Sequence, residues 1–363
     1  MSRVLLVNSS LALGGLERQL ILLAESLPAD WKRLVWTIDG GPYERLCNEH
    51  SVPLVIAGRR SRYDPSPAFD LWRLVHRWRP DVVHSWHWMS TAASVPVCRA
   101  LSIPLVDGSI RRGDRPKGRL RPHRALLRLA SVVVANSRAG LHAYGLDESR
   151  AQVVYNGFDP GRLDLCERRS EDGRLTVVMC ARMDGHKDYR TLLAAAQRLT
   201  EQEPRGARSW RFVLVGDGPD RARLVAEASK LIAEGVVEIL DGGLEVMKIV
   251  SRAHVGVLMT NPDELAEGCS NALLEYMACG LPVVCSDSGG NQEVVEDGVT
   301  GHIIPPRDVA ALADALRRLR DREDERQGMG EAGRRRLLRE FSLERMVRRY
   351  TLIYDQAIAR RGL

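Results

Sequence analysis

The sequence predicts an α/β protein of two domains, each a doubly wound parallel sheet, on three observations. Short apolar runs alternate with stretches of helical period along the chain, the pattern of successive βα units. The alternation is interrupted once, by residues 159–174, a polar segment holding Pro160, Gly161, Gly173 and a charge cluster, and this reads as an interdomain linker. The chain has 363 residues, enough for two domains of ordinary size, each with its own core.

Taken in order, strands are expected at residues 4–8, 33–37, 54–56, 82–84, 104–106, 132–135 and 153–155, with helices between them, notably 16–26 and 68–78. After the break the pattern restarts with a strand at 175–180, a helix at 191–203, a strand at 211–216 and a helix at 221–234. Further strands are expected at 237–240, 255–259, 282–285 and 302–304, and helices from 308 onward close the chain. The expected divisions are residues 1–163, 164–342 and a final helix within 343–363, whose apolar positions Met346, Tyr350, Ile353, Tyr354 and Ala357 repeat at helical spacing. In such sheets ligands sit outside the carboxyl ends of the strands, so two facing domains would share one cleft.

No run of about eighteen apolar residues occurs, so no membrane span is expected, and the opening Ser2-Arg3-Val4-Leu5-Leu6-Val7-Asn8 is too short for a signal peptide. The seven cysteines are odd in number and form no Cys-x-x-Cys pair, which points to a reducing compartment, the cytoplasm. The net charge of +6 is unevenly divided: residues 1–163 carry 23 Lys+Arg against 14 Asp+Glu, and the remainder 30 against 33. The densest basic stretch, residues 111–124, sets seven Lys/Arg against Asp114 among Gly and Pro, so a mobile basic loop is expected there. An anionic membrane surface or an acidic substrate would suit it.

The most informative stretch runs from Glu267 through Gly268-Cys269-Ser270-Asn271-Ala272-Leu273-Leu274 to Glu275, and on to Gly280-Leu281-Pro282-Val283-Val284. One carboxylate lies in a polar loop and the other in the first turns of a short helix that Gly280 and Pro282 end before an apolar strand. Amides of Asn271, Ala272 and Leu273 at that helix start lack intrahelical partners and suit a phosphate. Together with Ser288-Gly289-Gly290-Asn291-Gln292-Glu293, this stretch resembles the Glu-x7-Glu region of retaining GT-B glycosyltransferases of family 4 (glycosyl transferases group 1), of the type that serves bacterial cell-surface polysaccharides.

The resemblance implies the GT-B fold, in which two Rossmann-like domains face a central cleft and the last helix crosses back to the first domain. It implies acceptor binding by residues 1–163 and nucleotide-sugar binding by 164–342. By the same resemblance Arg182 and Lys187, just after a strand, hold the two phosphates, Glu267 contacts donor-sugar hydroxyls and Glu275 the ribose, with Ser270, Asn271, Ala272 and Leu273 completing the donor site. Gly14 and Gly15, between the first strand and helix, allow close backbone approach to the diphosphate or incoming sugar. Gly216-Asp217-Gly218-Pro219 resembles the family's turn near the nucleotide; a dinucleotide loop is rejected because Arg221 stands where its third glycine belongs.

No Asp-x-Asp occurs, which removes the usual chelate for a divalent metal, so a metal-independent enzyme is expected, with Arg182, Lys187 and the helix start at Asn271 supplying the charge. On the acceptor side His84, Trp86, His87 and Trp88 end a strand and are expected to open toward the ligand, with one of the two tryptophans in the core. Ser109 and Arg111 join them, and Asp107-Gly108-Ser109 departs from the family's commoner histidine at this place. The expected activity is retaining transfer of a hexosyl group from a UDP- or GDP-sugar to a saccharide hydroxyl. The acceptor is expected to be lipid-linked, reached from the cytoplasm by peripheral contact with the inner face of the plasma membrane, and no nucleic acid is expected as partner. The alternatives are a soluble small-molecule acceptor, or a sugar-nucleotide epimerase or hydrolase on the same fold.

Overall fold

The computed structural model describes residues 1–61, 64–114, 123–165, 173–204, 209–243, 246–261 and 263–360. The chain divides into two compact units, Met1–Gly157 with Leu343–Leu363, and Phe158–Ser342. The division falls ahead of residue 163, where the sequence placed it. The start of the expected linker is a 3-10 helix, Pro160–Leu165, that belongs to the second unit. Residues 166–172 lie outside the described residues.

The first unit holds a seven-stranded sheet: β1 (Ser2–Asn8), β2 (Trp31–Thr37), β3 (Leu54–Ile56), β4 (Val82–Ser85), β5 (Leu105–Ile110), β6 (Val132–Ala135) and β7 (Gln152–Val153), in the order β3-β2-β1-β4-β5-β6-β7. The second holds six: β8 (Leu175–Cys180), β9 (Trp210–Val215), β10 (Val237–Leu240), β11 (Val255–Leu258), β12 (Val283–Ser286) and β13 (Gly301–Ile304), in the order β10-β9-β8-β11-β12-β13. Every pairing is parallel. Central strands β8 and β12, and β1 from Val4 onward, are continuous runs of buried side chains because helices cover both faces, so the sequence shows apolar runs and no alternation.

The final helix, Leu343–Ala359, packs within the first unit: Met346, Tyr350, Ile353, Tyr354 and Ala357 are all buried, and Tyr354 lies against Trp31 with ring centroids 5.4 Å apart. Among the described residues no helix is long and apolar enough to cross a membrane, and six cysteines are free thiols.

Candidate functional site

In each sheet the strand order reverses once, between β1 and β4 in the first unit and between β8 and β11 in the second. Connections leave such a point in opposite directions and open a crevice outside the carboxyl ends of the two strands. In the second unit the loop after β8 carries Arg182 and Lys187, and the loop after β11 carries Thr260 and Glu267. These two loops are tied together by backbone bonds from Asp188 N to Met259 O (3.0 Å) and from Asn261 N to His186 O (2.9 Å), which set Lys187 opposite Thr260.

The loop after β8 rests on the Gly216-Asp217-Gly218-Pro219 turn. Met183 N donates to Asp217 O (2.9 Å) and Asp220 N to Met183 O (3.0 Å). A Cβ on Gly216 would stand 1.9 Å from Ala181 O, and one on Gly218 2.2 Å from Met183 O. Only glycine permits backbones to approach this closely.

Lys187 Nζ and the Thr260 hydroxyl (2.8 Å) both donate to Glu267 Oε1. Burial alone would raise the Glu267 pKa; the Lys187 charge and hydrogen bond, the Thr260 bond and the His186 charge outweigh it and hold the group below its ordinary value. Glu267 is therefore a buried, ionised carboxylate. Its main chain is gripped as well: Gly290 N donates to Glu267 O (2.8 Å), and Gly289, at φ +52, passes so near that a Cβ would lie 2.2 Å from that carbonyl.

Helix Asn271–Ala278 starts just beyond. Ser270 gives it no side-chain cap, and Leu274 N donates to Ser270 O (3.4 Å); the positive end of the helix dipole lies at this start and favours an anion. Tyr276 anchors this helix: its hydroxyl accepts from Cys180 N (2.7 Å) and donates to Val257 O (3.2 Å), and its ring fills the space beside Gly256. Glu275, buried, accepts from both terminal nitrogens of Arg162 at 3.1 Å on Oε1. Arg182 is the open member of the group, with its side chain 73% exposed and Nε 3.1 Å from Asp184 Oδ2. Glu267, Lys187 and Thr260 thus gather at one crevice, with Arg182 on the same loop as Lys187 and Glu275 one turn into the helix that follows Glu267.

In the first unit the structure corrects the expectation for His84 and decides which of the two tryptophans is core. His84 and Trp86 are buried: His84 Nδ1 shares a hydrogen with the Tyr354 hydroxyl (2.7 Å), and its ring packs on Trp86 and Tyr350. Both belong to the seat of the C-terminal helix, a role no local sequence pattern reveals. Trp86 is the core tryptophan, whereas Trp88 is half-buried at the start of helix Trp88–Ala100. His87 caps that helix by accepting from Met89 N at Nδ1 (3.4 Å), which leaves the hydrogen on Nε2. Burial, followed by the charge of His123, pushes the His87 pKa down to about 4, so the ring is a neutral donor.

Arg111 is not a loose loop cation. It donates to Gly108 O (2.8 Å), Asn156 Oδ1 (3.3 Å) and the Tyr350 hydroxyl (3.3 Å), and its guanidinium lies 4.3 Å from the Trp86 ring centroid. Arg112 pairs with Asp114 at 2.9 Å. The rest of the expected basic loop, residues 115–122, lies outside the described residues.

Ser109 belongs to a buried polar network that the sequence reading missed. Asp107, fully buried, accepts from Ser109 N (2.9 Å), Ser109 Oγ (2.5 Å) and Thr91 Oγ1 (2.5 Å). Since the single Ser109 hydroxyl proton goes to Asp107, His123 Nε2, 2.7 Å away, must donate to Ser109, and His123 Nδ1 accepts from Tyr144 (3.2 Å). Ser109 Oγ then has one lone pair left, fit to receive a hydroxyl hydrogen.

Gly14 caps helix Gly15–Ser26 without a side chain, and the Glu17 carboxylate folds back over it, 2.3 Å from where a Gly14 Cβ would be. Burial raises the Glu17 pKa against the lowering bonds from its own backbone and Asn8. Glu17 directly follows Gly14-Gly15-Leu16, the signal that could have drawn attention to it. For Thr260 the only signal was its place after a strand, and for Arg162 there was none.

Comparison with known proteins agrees with this architecture. A family profile described as Glycosyl transferases group 1 matches residues 167–336, and one described as Glycosyltransferase Family 4 matches residues 13–162. A glycogen synthase of Mycobacterium tuberculosis (strain H37Rv) is 27% identical over 304 residues, 78% of this chain and 70% of its own. A D-inositol 3-phosphate glycosyltransferase of Thermobifida fusca is 28% identical over 281 residues, 70% of this chain and 64% of its own. The crystal structure of Anabaena Alr3699/HepE in complex with UDP and glucose matches with a TM-score of 0.84 at 20% identity, covering 98% of this chain and all of that one. With both of its domains matched in tandem on the two Rossmann-like units, the chain belongs to the family-4 glycosyltransferases (glycosyl transferases group 1) and is a nucleotide-sugar glycosyltransferase of GT-B type.

Proposed function

We propose that the protein transfers a hexosyl group from a UDP- or GDP-sugar to a hydroxyl of a saccharide acceptor with retention of anomeric configuration and without a metal ion. The acceptor is lipid-linked, as befits polysaccharide or glycolipid biosynthesis. The second unit takes the donor and the first the acceptor. The observation that carries the reading is the cluster of Lys187, Thr260 and Glu267 just ahead of the helix start at Asn271, with Arg182 exposed on the same loop as Lys187. A leaving diphosphate gains negative charge as the glycosidic bond breaks, and preformed cations and amide dipoles stabilise that charge most where water is scarce. Arg182, Lys187 and the amides of residues 271–273 supply them, Glu267 takes hydroxyls of the donor sugar, and Glu275 those of the ribose. His87 and Ser109, one donating and one accepting, fit a sugar hydroxyl on the acceptor side. The UDP and UDP-glucose held by Anabaena Alr3699/HepE support trying uridine donors first.

A thermal-shift screen with UDP, GDP and ADP and their sugars is expected to single out one nucleotide, since a ligand of the folded state raises the melting temperature. Proton NMR of the new anomeric signal tests retention: an α-linked donor is expected to give an α-linked product, and a β-linked product sinks the proposal. Activity is expected to survive EDTA; loss restored by Mg²⁺ would overturn the metal-free reading.

A further inference from the structure

Helix Ser66–Trp78 of the first unit buries Pro67, Leu71 and Val75 in the core. Its opposite stripe, at helical spacing, is Phe69, Trp72, Arg73, His76 and Arg77, all exposed. Phe69 is 58% exposed and Trp72 38%, and among the described residues every other Phe and Trp is buried or half-buried. The cations on and just after this helix, Arg73, Arg77 and Arg79, form no ion pair among the described residues, and residues 66–79 contain one acid, Asp70. Arg73 sits 4.4 Å from the centre of the Phe69 ring, so aromatic and cationic groups form one continuous surface.

We propose that this stripe docks on an anionic lipid bilayer, the helix lying along the headgroups with Phe69 and Trp72 entering the interface and Arg73, Arg77 and Arg79 against lipid phosphates. A helix face that joins aromatic rings to arginines matches the bilayer interface on both counts, apolar just below the headgroups and negatively charged at them. A second copy of the chain fits poorly: a two-fold contact would set the unpaired arginines of one face against those of the other, where the centres of protein interfaces are poor in charge. The proposal deepens the lipid-linked acceptor reading and rests on it for its purpose. It also moves membrane contact away from Arg111 and Arg112, which are engaged within the first unit.

The test is co-sedimentation of the full chain with phosphatidylglycerol–phosphatidylcholine vesicles and with phosphatidylcholine vesicles. Wild type is expected to bind the anionic vesicles, and to bind them less as salt rises. Phe69→Ser with Trp72→Ser is expected to weaken partitioning at least about tenfold, and Arg73→Ser with Arg77→Ser about thirtyfold at low salt. Both variants are expected to stay folded and to keep the release of nucleotide from the donor, because these side chains lie at the surface and outside the proposed site. Wild type that stays in solution, equal binding to phosphatidylcholine alone, or unchanged binding by both variants overturns the docking surface. Loss of a concentration-dependent dimer in the Phe69/Trp72 variant, without vesicle binding by wild type, assigns the stripe to self-association and overturns it as well. If vesicles are bound as expected while the protein turns over no nucleotide sugar, the transfer reading falls and the docking surface stands.

Discussion

Glu267 is held ionised in a place where burial favours neutrality, and the principal partner that holds it, Lys187, is also proposed to meet the leaving diphosphate. Lys187→Ala removes the charge from that buried pair and is expected to cost about 3 kcal/mol of stability as well as turnover. The exposed Arg182 separates the two effects. Arg182→Ala is expected to leave the melting temperature unchanged while kcat falls at least about tenfold, a transition-state loss of about 1.4 kcal/mol or more. Wild-type turnover in that variant would remove Arg182 from the mechanism. Arg162 acts through Glu275: Arg162→Ala removes the two bonds that hold Glu275 Oε1 beside the proposed donor site and is expected to raise the donor KM. Because the two side chains are in contact, that effect should largely vanish in a Glu275→Gln background, which a double-mutant cycle measures.

At the scale of elements, close backbone approach is what sets the geometry of these loops. Gly289 and Gly298 both have positive φ, +52 and +75, but a Cβ on Gly289 would meet the Glu267 carbonyl at 2.2 Å whereas one on Gly298 would meet nothing within 4 Å. Gly298→Ala is therefore expected to cost only the backbone strain, about 1–2 kcal/mol, with full activity in the surviving enzyme. Gly289→Ala adds displacement of Glu267, so its kcat is expected to fall even where the protein is fully folded. Equal kcat values for the two variants would show that the position of Glu267 does not depend on this contact.

At the scale of the molecule, three histidines of the first unit, His84, His87 and His123, are held neutral, each chiefly by burial. A folded-state pKa below the ordinary value means that the unfolded chain binds more protons as the solution acidifies. The stability associated with the neutral forms is complete above about pH 6.5 and is lost as pH falls, for His87 down through about 4. Thermal melts between pH 7 and 4 should show this loss, and His87→Gln should flatten its slope. A melting temperature constant over that range would contradict the burial assigned to all three.

Much of this protein was legible in its sequence because the information was local. Apolar runs separated by helical stretches suffice for two parallel doubly wound sheets, since strands covered on both faces must be apolar throughout. Glu267, Ser270, Asn271 and Glu275 could be singled out because a loop, a helix start and two carboxylates fall within nine residues of chain. What the sequence did not reveal depends on groups distant along it. Arg162 finds Glu275, Thr260 and Lys187 converge on one oxygen of Glu267, and Tyr354 of the last helix buries His84 with Trp86, so that polar residues at a strand end became core. Arg111 reads as a loop charge until Trp86, Asn156 and Tyr350 surround it. Composition and period decide which segments are strands and helices, because those choices rest on hydrogen bonds and side-chain spacing within a few residues. Which polar side chain is spent on the core and which is left for a ligand is decided only when elements pack, because burial and partnership belong to the assembled fold.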